Sequence, residues 1–266
     1  MSALDQYTRY LQLHGHPVGT IEQYVSYPRR MMDDMELEPH EVTLDHVAEW
    51  AARFTWQTNT RRRAINSLRG FFTWACASTL IPSDPLAGMK SVKGKRGLPK
   101  PVPEPVVKMA LNRCQGQDRW LVVLAAETGL RRSELSRVHR DDPERHTDGW
   151  RLRVHGKGDK SRLVPISDDL AQWIRSHYGW VFPSPVKLGS PVIPSVIGKR
   201  LKRLLGNSDY TTHQMRHRFA TIALARSGDL RAVQELLGHE SVATTQIYTL
   251  VADERLRAVA DLARVA

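Results

Sequence analysis

Apolar side chains recur three or four positions apart along most of this chain, the spacing that gathers them on one face of a helix. Over residues 1–90 the pattern predicts helices at 20–35, at 43–54 with Thr43 as N-cap, and at 58–78. In the third, Ala64, Leu68, Phe71, Phe72 and Ala75 share a face. Nothing in this region alternates with the period of two that marks a strand, so it reads as a small all-α bundle. Beyond Pro103 the pattern is mixed. Helices are expected at 105–114, 119–127, 131–139, 168–177, 195–205, 213–226 and 230–237, the last stopped by Gly238. Residues 149–155 and 160–166 alternate apolar and polar positions around Gly156-Lys157-Gly158-Asp159, a β-hairpin pattern. The expected fold is mainly α, its second part a helical domain with a small antiparallel β-sheet at one edge.

Length and composition narrow the class. The chain has 266 residues, enough for two modest domains, and its 41% hydrophobic and 25% charged content is that of a globular protein rather than a disordered one. The longest apolar run, residues 120–126, is too short to span a bilayer, and the N-terminus shows no basic-then-apolar signal pattern. Two cysteines, Cys76 and Cys114, make no disulfide framework and point to a reducing cytoplasm. Membrane proteins, secreted mini-domains and cysteine-built zinc modules are set aside.

Charge adds a partner. Lys and Arg number 39 against 28 Asp and Glu, a formal net of +11, which favours a polyanion such as nucleic acid. The excess is uneven. Residues 1–90 carry a net −1, residues 91–100 hold four bases and no acid, and residues 101–266 carry +8. The stretch 91–103, with two Gly and three Pro, reads as a basic linker between a first domain at 1–90 and a second at 104–266. Its Lys93, Lys95 and Arg96 suit a strand of chain lying along phosphates; a merely solvated linker is compatible with the same residues. Arg61, Arg62 and Arg63 crowd the first turns of the helix at 58–78, where the helix dipole disfavours cations. An external anion relieves that conflict, and a solvated patch is the other reading. On the helix at 195–205, Lys199, Arg200, Lys202 and Arg203 form a basic face suited to a DNA groove or backbone.

Singly, the polar residues of the second part are ordinary. Their order is not. Arg131 in TGLRRSEL, Lys157 in HGKGDKSR, His213 and Arg216 in THQMRHRFAT, His239 in LLGHES and Tyr248 in TTQIYT form one ordered set. The set resembles the tyrosine recombinase, or phage-integrase, family across residues 129–248, with Met215 where leucine is usual. The resemblance implies an N-terminal, SAM-like, α-helical core-binding domain and a catalytic domain that clamp a DNA duplex. It also implies a minimal two-domain form, without an added arm-binding domain.

The chemistry implied is cofactor-free transesterification at a DNA phosphodiester. No Walker-type loop is present, and a tyrosine nucleophile stores the bond energy as a phosphotyrosine. By resemblance Tyr248 attacks and holds the 3′-phosphate, Arg131 and Arg216 clamp the phosphate in place of metal ions, and Lys157 protonates the leaving 5′-oxygen. His213 is the candidate base, His239 donates to a phosphate oxygen, and Glu134, one turn beyond Arg131, orients an arginine or histidine or makes a surface ion pair. No cofactor and no metal are expected.

The partners implied are double-stranded DNA at specific sites, three further copies of the chain in a tetramer around a Holliday junction, and an accessory directionality factor; no membrane is involved. Among biological roles a phage-type integrase leads and a Xer-like chromosome or plasmid resolvase is the alternative. A type IB topoisomerase and, from another class, a non-catalytic DNA-binding regulator are further readings. The expected site of action is the cytoplasm, on the nucleoid. After Tyr248, residues 250–266 read as mostly helix with Leu256, Val259, Leu262 and Ala263 in one stripe, buried either in the chain's own core or on a neighbouring protomer.

Overall fold

The computed structural model describes residues 1–91, 100–156, 160–206 and 209–238. Lys93, Lys95, Arg96, Lys157, His239, Tyr248 and the helix expected at 250–266 lie outside the described residues. The chain divides into two compact units, Met1–Gly97 and Leu98–Ala266.

The first unit is all helix among its described residues, with α1 (Ala3–Leu13), α2 (Val18–Met35), α3 (Leu44–Ala52) and α4 (Thr58–Ala77). Helix α1 was not expected from periodicity. Its start is set by a capping box in which the Ser2 hydroxyl accepts from the Asp5 N–H and the Asp5 carboxylate accepts from the Ser2 N–H. Thr43 caps α3 as the sequence predicts, accepting from the His46 N–H. The stripe predicted on α4, from Ala64 to Ala75, is fully buried, and its Leu68, Phe71, Phe72 and Ala75 join Tyr7, Val25, Met31 and Trp50 in one core. Trp50 keeps its indole N–H satisfied by donating to Asp34 at 2.8 Å.

The second unit opens with α5 (Glu104–Arg113), α6 (Gly116–Thr128) and α7 (Arg132–Ser136). Then come β1 (Pro143–His146), β2 (Gly149–His155) and β3 (Ser161–Ile166), followed by α8 (Asp168–Arg175), α9 (Pro194–Leu204), α10 (Thr212–Ser227) and α11 (Leu230–Leu237). The strands form one antiparallel sheet in the order β1-β2-β3, with Leu152 opposite both Pro143 and Val164. The fold is therefore mainly α with a small antiparallel sheet, as expected. Both strands of the predicted hairpin form, and their inward residues Leu152, Val154, Val164 and Ile166 pack with Leu121, Leu124, Leu135, Leu170 and Ile174. A smaller cluster of Ala220, Leu224, Val233 and Leu237 joins α10 to α11.

Two local expectations need correction. Strand β1 extends the sheet beyond the hairpin. The helix expected at 131–139 covers only Arg132–Ser136, because the chain then pairs with another segment: His139 bridges Trp180, and its N–H donates to the buried Asp142 carboxylate at 2.7 Å.

Candidate active site

Helix α6 ends on Gly129 in the left-handed conformation, φ +59°. A side chain there would collide with the Phe219 ring, its Cβ only 2.6 Å from Cδ1. The turn sends Leu130 into the core and makes Arg131 the N-cap of α7.

Arg131 and Glu134 close on each other in a box. The Glu134 carboxylate accepts the Arg131 N–H at 2.8 Å and the Arg131 Nη1 at 2.8 Å. Glu134 also accepts a two-pronged pair from Arg162 on β3, Nη1 to Oε1 at 3.0 Å and Nη2 to Oε2 at 2.9 Å. Arg216 on α10 brings Nη1 to 4.0 Å from the same carboxylate. One buried carboxylate thus serves three guanidinium groups. Burial pushes the Glu134 pKa up, but the hydrogen bonds and charge of Arg162, followed by the Arg131 bonds, outweigh it and hold the group at about 2.

The same three arginines grip the end of α11. Arg162 Nε donates to the Leu236 carbonyl at 2.7 Å, Arg216 Nη2 donates to the Leu237 carbonyl, and Arg131 Nη2 donates to the Gly238 carbonyl at 3.0 Å. Arg216 Nη1 also donates to the Gly129 carbonyl at 2.9 Å. Carbonyls at a helix C-terminus carry partial negative charge and lack intrahelical donors, so cations there are favoured. Exposure separates the arginines: the Arg131 side chain is 43% exposed, whereas that of Arg216 is 2% exposed. Arg131 is the arm that faces solvent.

His213 lies in the first turn of α10, solvent-exposed along one edge, with its ring edge-to-face on His217 at 4.2 Å. Partial burial, and then the positive charges of Arg216 and Arg131, draw its pKa below the ordinary imidazole value. His217 is pulled further, to about 4, by burial, His213 and Arg216. Both rings are neutral near pH 7, the state in which an imidazole accepts a proton.

The order of Arg131, His213 and Arg216 along the chain is therefore also a place, at the meeting of α7, α10 and α11. Residues 103–255, more than half of the chain, match the sequence pattern of the phage integrase family. The chain belongs to that family. Its tyrosine recombinase relatives include XerC of Mycobacterium sp. (strain JLS), 32% identical over 297 aligned residues that cover 98% of each protein. Two solved structures share the fold. XerH site-specific recombinase, bound to palindromic difH substrate in a post-cleavage complex, superposes with a TM-score of 0.74 at 19% identity, over 97% of this chain and 83% of that one. A lambda integrase dimer bound to a COC′ core site gives 0.74 at 18% identity, over 92% and 75%.

In this tyrosine recombinase the predicted DNA-contact residues fare unequally. Arg61, Arg62 and Arg63 are exposed on the first turns of α4 and form no ion pair among the described residues. On α9, Lys199 and Lys202 are exposed. Arg203 is also exposed and lies 3.9 Å from Asp118. Arg200 is committed inside the unit, its Nε on Asp118 at 2.5 Å and its Nη1 on Gln117 at 2.8 Å.

Sequence reasoning passed over Arg162. The signal was present: Arg162, Val164 and Ile166 occupy one face of β3, and a charge in an inward row of apolar residues requires a buried counter-charge.

Proposed function

We propose that this tyrosine recombinase is a site-specific DNA recombinase of the phage-integrase type. It cuts and rejoins strands through a 3′-phosphotyrosine on Tyr248 and a Holliday junction, without metal or ATP. The observation that carries the reading is the convergence of Arg131 and Arg216 on one buried carboxylate, with His213 in the first turn of the same helix as Arg216. Attack on a phosphodiester gathers negative charge on the non-bridging oxygens, and guanidinium groups are suited to meet it with forked donors. Removing one such donor costs roughly two to three orders of magnitude in rate. Neutral His213 takes the Tyr248 proton, His239 adds a donor to the phosphate, and Lys157 protonates the departing 5′-oxygen.

The first domain, 1–90, grips the duplex with Arg61, Arg62 and Arg63, the basic segment 91–103 follows the backbone through Lys93, Lys95 and Arg96, and 104–266 does the chemistry. Lys199, Lys202 and Arg203 add phosphate contacts. Four copies act together on two duplexes, with an accessory factor setting direction, in the cytoplasm at the nucleoid. Among the described residues no helix is long and apolar enough to cross a membrane. A second reading, a Xer-like resolvase, is favoured by the XerC relative that runs the length of this chain.

The test is a suicide substrate, nicked so that the freed 5′-hydroxyl diffuses away. A covalent protein–DNA adduct that maps to Tyr248 supports the reading. A protein that binds the site and leaves no adduct is a regulator instead.

A further inference from the structure

We infer that Arg162 is a positioning residue of the recombination reaction: by holding the Glu134 carboxylate and the end of α11 at once, it sets the geometry of Arg131 and Arg216. The inference rests on the reading of Arg131 and Arg216 as the phosphate clamp.

Three observations carry it. First, Arg162 meets Glu134 with both prongs, at 3.0 and 2.9 Å, and so fixes the plane of the carboxylate. Glu134 has two oxygens to share. With Arg162 on one side, Oε1 and Oε2 turn toward the Arg131 Nη1 and N–H, and the third guanidinium, that of Arg216, stands at 4.0 Å. Without Arg162 the carboxylate is held from the Arg131 side alone, and the reference it gives to both clamp residues loosens.

Second, Arg162 Nε donates to the Leu236 carbonyl, one residue before the carbonyl held by Arg216 and two before the one held by Arg131. Gly238 makes this approach possible: a Cβ there would stand 3.1 Å from the Arg162 Cδ and 3.2 Å from its Nη1. A strand, a helix and an N-cap are thereby tied to three consecutive peptide units.

Third, the placement is buried. The Arg162 side chain is 13% exposed and that of Glu134 is 2% exposed, so the pair sits behind the half-exposed Arg131 rather than beside the substrate. Arg162 acts through other residues and touches no reacting atom. The charged and titratable groups facing Glu134 are Arg131, Arg162 and Arg216, together with Arg137, Asp142, Arg153 and His155 around the small cavity it lines.

The experiment compares the full-length parent with Arg162→Met and Arg162→Lys on the nicked suicide substrate. Single-turnover adduct formation is followed from pH 4 to 9, alongside DNA affinity and thermal melting. With the bidentate partner gone, the Glu134 carboxyl rises toward the ordinary carboxylate range, and its protonation then loosens the clamp. The expected result for Arg162→Met is a 10- to 100-fold slower cleavage step at pH 7.5, DNA affinity within about threefold of the parent, and a new acid limb in the rate profile. Arg162→Lys, which keeps the charge without the fork, recovers part of the rate and carries the same test if the Met variant does not fold. Cleavage rate and pH profile equal to the parent's in the folded variant overturn the proposal, as does a rate loss matched by an equal loss of folded protein. A parent that binds DNA but forms no adduct overturns the recombinase reading itself, and this proposal with it.

Discussion

Arg131 and Gly238, 107 positions apart in the chain, are joined by a 3.0 Å hydrogen bond from a guanidinium to a backbone carbonyl. The bond links the N-cap of α7 to the residue that ends α11. The solvent-facing Arg131 is thus anchored on the residue that immediately precedes His239 in the sequence.

Tyr248→Phe is expected to keep the affinity of the parent for its DNA site and to form no adduct on the suicide substrate, because the proposed mechanism assigns the covalent bond to the Tyr248 phenol oxygen. Gel electrophoresis under denaturing conditions reads the outcome directly. An adduct with the Phe variant would falsify the assignment.

Cleavage is expected to persist in excess EDTA, since on the proposed mechanism Arg131 and Arg216 supply the charge that divalent ions supply elsewhere. Binding weakens steeply as salt rises, because each neutralised phosphate releases counterions. A magnesium requirement in the cleavage step would count against the arginine clamp.

Stability should fall in acid through Glu134. Its folded pKa, about 2, lies below the ordinary 4.5, so its contribution is fully present above pH 4.5 and is lost as pH falls toward 2. The size is on the order of 3 kcal/mol. Glu134→Gln removes this dependence and leaves three guanidinium groups without their shared counter-charge, lowering stability by roughly 3–5 kcal/mol at pH 7. Denaturant unfolding of both proteins at pH 3.5 and 7 checks the sign: the gap between them narrows in acid.

Gly129→Ala and Gly15→Ala form a matched pair. Both glycines have positive φ, +59° and +69°, but an added Cβ meets Phe219 at Gly129 and nothing within 4 Å at Gly15. Backbone strain alone costs about 1–2 kcal/mol in each. The Gly129 variant is expected to lose a further 1–3 kcal/mol, roughly, from overpacking. It should also cleave more slowly, since the Gly129 carbonyl is a partner of Arg216. Equal melting temperatures would refute the steric account.

On α9, Lys199→Ala and Lys202→Ala should each weaken DNA binding with little change in melting and lower the salt slope by about one. Arg200→Ala should do the reverse, destabilising the fold because Asp118 and Gln117 lose their donor. A common effect of all three on affinity alone would place Arg200 on the DNA face as well.

How much of this was legible depends on which force sets each element. The α4 stripe from Ala64 to Ala75 was readable because burial alone decides it, and the β2–β3 pairing was readable because alternation on both sides of the sequence Gly156-Lys157-Gly158-Asp159 leaves one register. Strand β1 was not, since Pro143, Glu144, Arg145 and His146 carry no apolar alternation and gain their conformation from pairing with β2. Helix α1 left a signal in Ser2 and Asp5 that an apolar count does not register. In the site, residue types and order named Arg131, His213 and Arg216. The carbonyls of Leu236, Leu237 and Gly238 were beyond reach, because a backbone group has no letter in the sequence.

Those three carbonyls bear on when the protein first becomes dangerous to DNA. Their arginine partners come from an N-cap, a strand and a helix, so the clamp exists only once all of these have docked on α11. In a chain where α11 has not docked, the three arginines lack this shared anchor. On the proposed assignment, strand cleavage then depends on the docking of α7, β3 and α10 on the end of α11, so that the order in which the chain folds also sets when it can first cut.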